Sequence, residues 1–141
     1  MKRLILSLLS ILAIVTTVEA HPPRTLDDIP NVNVADARHF TSNPDAILSA
    51  AAVDSIDRML YSLREDRTAE VAVVAVGSIG SEDVFEFSHS LFQKWGIGEK
   101  DRNNGLLIFL VLDQREIRFI TGYGVEGVLT DALCRQIQAH Y

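Results

Sequence analysis

The chain has 141 residues, of which 48% are hydrophobic and 23% are charged, and its formal net charge is −6. This size and composition are typical of one globular domain and exclude a disordered or fibrous protein. The acidic balance predicts no nucleic-acid partner, because binding to the phosphate backbone depends on clustered Lys and Arg. A single cysteine excludes an internal disulfide, and four histidines provide few ligands for zinc.

The first 20 residues have the three parts of a secretory signal. Lys2 and Arg3 form a charged beginning, residues 4–18 are mainly apolar, and Val18-Glu19-Ala20 is a small-x-small cleavage site. A retained membrane anchor is the alternative, but about 15 helical residues reach about 22 Å, short of the roughly 30 Å core of a bilayer. We therefore expect cleavage after Ala20 and a mature protein that is secreted or periplasmic.

Residues 21–42, which we call the leader, contain three prolines and show no sustained hydrophobic period. The sequence predicts an extended segment here, with one short edge strand near residues 32–34. Ser49 is then the expected N-cap of a first long helix, and Asp54 and Asp57 are expected on its wet side. Its apolar stripe comprises Val53, Ile56, Leu60 and Leu63.

Two apolar runs, residues 71–76 and 106–112, are typical of strands that are covered on both faces. The span between them is long enough for a crossover helix capped by Ser81, so we expect the two strands to be parallel. Residues 115–121 alternate in polarity and predict an antiparallel hairpin return. This order predicts an α/β fold, a three-layer α/β/α sandwich with a mixed, mostly parallel sheet that ends in an antiparallel hairpin.

The final piece of the chain, residues 130–141, is expected to form a third long helix, with Cys134 as a small core residue. Residues 122–127 match the pattern G-x-G-x-x-G, but we do not expect a dinucleotide site. That site needs a following helix and a further parallel strand, and the sequence provides too few residues for both. The glycines are instead expected to allow a tight loop.

The predicted topology brings two polar loops to one end of the sheet. Because the last strand is antiparallel, residues 96–104 and residues 122–130 are expected at the same end, and residues 77–81 at the opposite end. Oxygen ligands favour Ca²⁺ or Mg²⁺, so the sequence predicts a divalent cation site. The alternative is a purely structural role, in which these residues form turns and the first turn of a helix. The candidate ligands are Asp101, Asn103, Asn104, Glu126 and Asp131.

Two motifs in these loops resemble one known family. They are WGIGEKDRNNG at residues 95–105 and, after an apolar strand, GYGVEGVLTD at residues 122–131. Together they resemble the TPM domain, and the resemblance covers about residues 40–141. The chain then divides into a signal peptide at residues 1–20, the leader at residues 21–42 and a TPM domain at residues 43–141.

The resemblance implies an extracytoplasmic α/β/α protein, commonly tethered near a membrane. Members of the family include thylakoid-lumen proteins linked to photosystem II repair, auxiliary subunits of acetylcholine receptors and uncharacterised bacterial envelope proteins, and plant members are associated with acid phosphatase activity and bound calcium. For this chain the resemblance implies an accessory module that binds envelope or membrane proteins, with any membrane tether outside the printed sequence.

A weak metal-assisted phosphomonoesterase is the alternative function. A cation held by Asp101, Glu126 and Asp131 would then polarise the phosphate of the substrate, and Lys100 or Arg102 would stabilise its negative charge. The sequence shows no clear nucleophile or base for this reaction, so no catalytic residue is assigned.

The chain departs from the family pattern at two places. Ala46 stands where the family usually has a glycine before the first long helix. The family also continues beyond the residue that corresponds to Tyr141, and a truncated domain end is one interpretation of that difference.

Overall fold

The computed structural model of the protein describes residues 20–66 and 69–126. The helix predicted at residues 130–141, with Cys134, and most of the signal peptide predicted at residues 1–20 lie outside these residues. The described elements are a 3-10 turn at Leu26–Asp28, helix α1 at Val32–Ala35, strand β1 at Thr41–Ser42, helix α2 at Ala50–Glu65, strand β2 at Glu70–Val76, helix α3 at Val84–Trp95, strand β3 at Gly105–Val111 and strand β4 at Glu116–Thr121.

The four strands form one mixed sheet in the order β1-β2-β3-β4. Strands β1, β2 and β3 are parallel, and β4 is antiparallel to β3. Glu70 is paired with Gly105 at the amino end of β2 and β3, and Val76 is paired with Val111 at their carboxyl end. The predicted fold class, including the parallel pair and the hairpin return, is confirmed.

Each face of the sheet carries its own hydrophobic core, because successive side chains of a strand point to opposite faces. Val74 and Val76 of β2 belong to the cluster that contains Leu91 of α3. Val71 and Val73 belong to a second cluster, with Leu60 of α2. Complete burial of an aliphatic side chain of this size contributes about 2 kcal/mol, so both helices are held mainly by their apolar faces.

The observed N-cap residue is the predicted one for helix α2 and a different one for helix α3. The Ser49 hydroxyl accepts a hydrogen bond from the Ala52 N–H at 3.2 Å, so the predicted cap of α2 is confirmed. Ser81 was the expected cap of α3, but the Asp83 carboxylate accepts from the Glu86 N–H at 2.9 Å. The helix therefore begins later, and the Asp83 carboxylate also interacts favourably with the positive end of the helix dipole.

The leader differs from the expected strand near residues 32–34. These residues lie in helix α1, and the edge strand is β1, at Thr41–Ser42. Val34 is 83% exposed and therefore has no covering layer to favour a strand, whereas Phe40 is buried and its carbonyl accepts from the Val73 N–H at 3.0 Å. The leader also contributes Ile29 to the core on the α3 face.

No helix within residues 20–66 and 69–126 has the length and apolar character needed to cross a bilayer.

Candidate functional site

Two loops meet at the amino end of β2 and β3, and we call residues 96–104 and 122–126 the loop junction. The Gly124 N–H donates to the Asn103 carbonyl at 2.8 Å, and the Gly122 N–H donates to the Gly105 carbonyl at 2.8 Å. The predicted meeting of the two loops is therefore present among the described residues. Both of these hydrogen bonds join backbone groups.

Glycines permit this close approach. A Cβ atom on Gly124 would lie 2.0 Å from the Arg102 carbonyl oxygen, and one on Gly122 would lie 2.4 Å from the Asn103 carbonyl oxygen. These distances are far shorter than a van der Waals contact, so any side chain at either position would push the loops apart. Gly122 and Gly124, the first two glycines of the G-x-G-x-x-G pattern, thus face the backbone of this chain.

Asn104 is engaged within the loop junction. Its side chain is buried, with the residue only 5% exposed, and its Oδ1 accepts from the Glu99 N–H at 2.9 Å. Its backbone carbonyl accepts from the Glu70 N–H at 3.0 Å. The side-chain oxygen predicted to bind a cation therefore already stabilises the turn. Asn103, the next candidate, has a φ of +47°, a left-handed conformation that Asn tolerates better than most residues.

The other described candidates of the loop junction are exposed. Tyr123, in the second of the two loops, is 82% exposed. Asp131 lies outside the described residues, and among those described there is no group of three His, Cys, Asp or Glu side chains that could hold a metal ion. The divalent cation site therefore stays a prediction. The exposed candidates are Lys100, Asp101, Arg102, Asn103 and Glu126.

The opposite end of the sheet is closed by a buried carboxylate that the sequence did not single out. Asp45 Oδ1 accepts from Arg24 Nε at 3.1 Å, and Asp45 Oδ2 accepts from the Gly77 N–H at 2.9 Å. The Asp45 side chain is only 4% exposed. The hydrogen bond from Arg24 lowers the pKa of the Asp45 carboxyl; burial acts in the opposite direction, and the Gly77 N–H lowers it again.

Ala46 follows this carboxylate and has a φ of +51°. The left-handed region disfavours a residue with a Cβ atom and suits glycine. A glycine at this position would be free of that strain, and this chain adopts the left-handed backbone with an alanine.

A second buried carboxylate, Asp57, lies on α2. The sequence placed it on the wet side of the helix, which is wrong: Asp57 is 6% exposed. Its Oδ1 accepts from the Phe40 N–H at 3.0 Å and from the Thr41 hydroxyl at 2.8 Å, and its Oδ2 lies 3.1 Å from His39 Nδ1. The cause is the leader, which folds back against α2 and supplies all three partners.

A signal for this contact was present in the sequence. Asp57 lies four residues after Val53 and three before Leu60, so it is part of the apolar stripe rather than opposite to it. A carboxylate in such a stripe needs buried donors. The sequence offered no way to tell that residues 39–41 would provide them.

An open cleft of about 770 Å³ lies between the end of the leader and α2, and we call it the α2 cleft. Its lining combines cationic, acidic and hydroxyl-bearing side chains with a few small apolar ones. The lining residues are Arg38, His39, Thr41, Asn43, Ala50, Val53, Asp54, Asp57, Arg58 and Tyr61.

The mixed sheet with a helix on each face defines an α/β/α domain. The family model described as the TPM domain, whose name is TPM phosphatase, matches residues 42–141. The chain therefore belongs to the TPM-domain family. Among solved structures, it is similar to the solution NMR structure of the N-terminal domain of a protein from P. gingivalis, with a TM-score of 0.77 and 39% sequence identity over 84% of this chain and 76% of that chain. No curated protein matches the chain.

Proposed function

We propose that this chain is an extracytoplasmic TPM-domain module that binds envelope or membrane proteins through the loop junction. The observation that supports this proposal is the combination of a backbone-braced loop pair with an aromatic side chain at its tip. Tyr123 is 82% exposed between Gly122 and Gly124, whose N–H groups fix the loop to the neighbouring one.

This arrangement suits protein recognition for two physical reasons. An exposed tyrosine offers a large apolar ring and a hydroxyl, and such residues are enriched among the few that dominate binding energy. A loop that is already fixed loses little conformational entropy when a partner binds. Lys100, Asp101 and Glu126 are exposed in the same loop junction and carry charges of both signs, which favour one orientation of a partner over others.

Site-specific photocrosslinking tests the proposed surface. A benzophenone amino acid is placed at position 123 or, as the matched control, at position 112, where the exposed Leu112 follows the carboxyl end of β3. In the intact envelope we expect a discrete adduct from position 123 that is absent from position 112. Equal adduct patterns from both positions would argue against the loop junction as the binding surface.

A divalent cation is the proposed ligand of the same surface. Asp101, Asn103 and Glu126 offer exposed oxygens, Asp131 is the proposed further ligand, and the Asn104 amide is used within the turn. Titration with Ca²⁺ and Mg²⁺, followed by amide NMR, should shift signals of the loop junction and of Asp131. Asp101→Ala should weaken this response, and Asp113→Ala, at the opposite end of the sheet, should not. Signals that move equally in both variants would contradict the proposed site.

Location outside the cytoplasm is part of the proposal and rests on the signal-like first 20 residues. Expression of the full chain in a bacterial host should yield a mature protein that begins at His21 in the periplasmic fraction. Mass spectrometry of that fraction measures the mass directly. A product that keeps residues 1–20 and stays in the cytoplasm would contradict the proposed location outside the cytoplasm.

Metal-assisted phosphomonoester hydrolysis is the second candidate, favoured by the name of the matching family model. The cation would be held by Asp101, Glu126 and Asp131, with Lys100 or Arg102 near the phosphate. Release of nitrophenol from p-nitrophenyl phosphate should then require the cation and should fall at least tenfold in Asp101→Ala. Activity that survives both chelation and this substitution would exclude the proposed mechanism.

A further inference from the structure

The two faces of the sheet are covered unequally. Helix α2 packs mainly on β1 and β2, whereas helix α3 packs on β3 and β4 at the opposite face. On the α3 face the leader completes the cover, because Leu26 and Ile29 join the core that contains Val74 and Val76 of β2. On the α2 face, none of the helices within residues 20–66 and 69–126 packs mainly on β3 and β4.

The burial of the strand residues reflects this difference. Leu107, Phe109 and Val111, which point toward α3, are completely buried. The apolar residues of β3 and β4 that point to the α2 face are paired across the two strands and are only partly buried. We call these four residues the open quarter of the sheet: Ile108 paired with Phe119, and Leu110 paired with Ile117.

An open groove of about 540 Å³ borders the open quarter at Leu110 and Ile117. Partly exposed aliphatic and aromatic side chains favour a cover that removes them from water. The open quarter is therefore a surface on which an apolar element can dock.

The length and position of the next segment of the chain fit this surface. Strand β4 ends at Thr121, which is paired with Leu106 at the amino end of β3. Only residues 127–129 separate the loop junction from the helix expected at residues 130–141, and short connections join elements that are neighbours in space. A helix of 12 residues is about 18 Å long, close to the roughly 23 Å of the seven residues of β3, so it can run back along the strands.

The sequence of this segment also fits an apolar surface. In a helix, Leu133, Ile137 and Tyr141 are each four residues apart and form one stripe, with Cys134 next to it. The polar residues Asp131, Arg135 and Gln138 lie away from this stripe. The segment therefore has one apolar side to bury and one polar side for solvent.

We propose that residues 130–141 dock on the open quarter as a helix that runs antiparallel to β4, next to α2. Its apolar stripe covers the four residues of the open quarter, and the Cys134 thiol is buried in the same contact. The segment is attached to the surface by a short connection, so its effective concentration exceeds that of any partner in solution. The proposal does not rest on the function proposed for the loop junction.

Nuclear Overhauser contacts in the full chain test the docking directly. We expect the methyl groups of Leu133 and Ile137 to contact the Phe119 ring. A sample mixed from labelled and unlabelled chains separates contacts within one chain from contacts between two chains. Contacts found only between chains would assign the open quarter to a second copy and overturn the proposal, and so would the absence of any contact with Phe119.

The reactivity of Cys134, the single cysteine of the chain, provides a second test. Its reaction with dithionitrobenzoate should be at least tenfold slower than that of a cysteine at the exposed position 123, made as Tyr123→Cys with Cys134→Ser. Ile137→Asp, in the apolar stripe, should raise the rate at Cys134 at least tenfold, whereas Gln138→Asp, away from the stripe, should leave it unchanged. A thiol that reacts as fast as the one at position 123, or that responds equally to both substitutions, would contradict the docked segment.

Discussion

At the amino end of the parallel strands, the Gly124 N–H donates to the Asn103 carbonyl, whereas at the carboxyl end the Asp45 carboxylate joins the Arg24 side chain to the Gly77 amide. The first closure uses backbone groups and requires glycines where the chains approach. The second uses a buried charge and requires a cation opposite to it.

This difference determines which side chains can change at each end. Backbone contacts leave the surrounding side chains of the loop junction free to vary, since Lys100 and Tyr123 take no part in the backbone hydrogen bonds that brace it. The carboxyl end has no such freedom, because loss of Arg24 leaves a buried carboxylate without its counter-charge. A binding surface is therefore more easily adapted at the amino end.

The sharpest test of the amino end is Gly124→Ala. The new Cβ atom would lie 2.0 Å from the Arg102 carbonyl oxygen, so the two loops must separate. Overpacking of this kind lowers the free energy of unfolding by about 3 kcal/mol. Urea denaturation measures the change. Tyr123→Ala is the matched control in the same loop and should change stability by less than about 0.5 kcal/mol, because its side chain is exposed. Equal losses of stability from the two substitutions would contradict the requirement for glycine at position 124.

The carboxyl end is tested by Asp45→Asn, for which we expect a loss of about 2 kcal/mol at neutral pH. The amide keeps the shape of the side chain but removes the charge that accepts hydrogen bonds from Arg24 and Gly77. Asp54→Asn, at an exposed carboxylate of α2, is the control and should be nearly neutral. Comparable losses from both would mean that burial of Asp45 is unimportant.

Low pH should remove the stabilisation that the ionised Asp45 carboxylate provides. The pKa of Asp45 is lower in the folded chain than its ordinary value because of Arg24, so the folded state favours the carboxylate. The resulting stabilisation is present above the unfolded-state pKa of about 3.9 and is lost as the pH falls through the folded-state value. Urea denaturation at a series of pH values should therefore show the difference between wild type and Asp45→Asn shrinking below about pH 4. A difference that stays constant down to pH 2 would contradict this account.

A smaller and opposite effect is expected for Ala46→Gly. Ala46 has a φ of +51°, and a Cβ atom in this region costs about 1 kcal/mol. Glycine relieves this strain, although it also gives the unfolded chain more freedom, so the net gain in unfolding free energy should be below about 1 kcal/mol. Thermal unfolding can resolve a gain of this size. A clear decrease in stability would show that the alanine makes contacts that outweigh its strain.

The sequence was sufficient to predict the order and direction of β2, β3 and β4, because the patterns that indicate these strands lie within each strand. The apolar runs of β2 and β3, the alternation of β4 and the length of chain between them determine the topology, and the topology brings the two loops of the loop junction together. The sequence could not predict which hydrogen bonds form within the loop junction. That Asn104 would use its side-chain oxygen on the Glu99 amide depends on the exact path of the turn.

The leader shows where sequence reasoning failed. Its contacts join residues that are far apart along the chain, such as Arg24 with Asp45 and Phe40 with Asp57. No periodicity in either partner announces such a pair. A short edge strand was expected near residues 32–34, but Val34 is exposed without a covering layer and a short helix forms instead. The partners of the two buried carboxylates could not be predicted for the same reason.

Strand β1 comprises only Thr41 and Ser42, and Pro44 follows shortly after. An edge strand of two residues offers an incoming strand of another molecule few unpaired N–H and C=O groups, and proline has no N–H to donate. The side of the sheet next to β2 is therefore a poor template for strand addition between molecules. The brevity of β1 therefore works as protection against aggregation through this edge of the sheet.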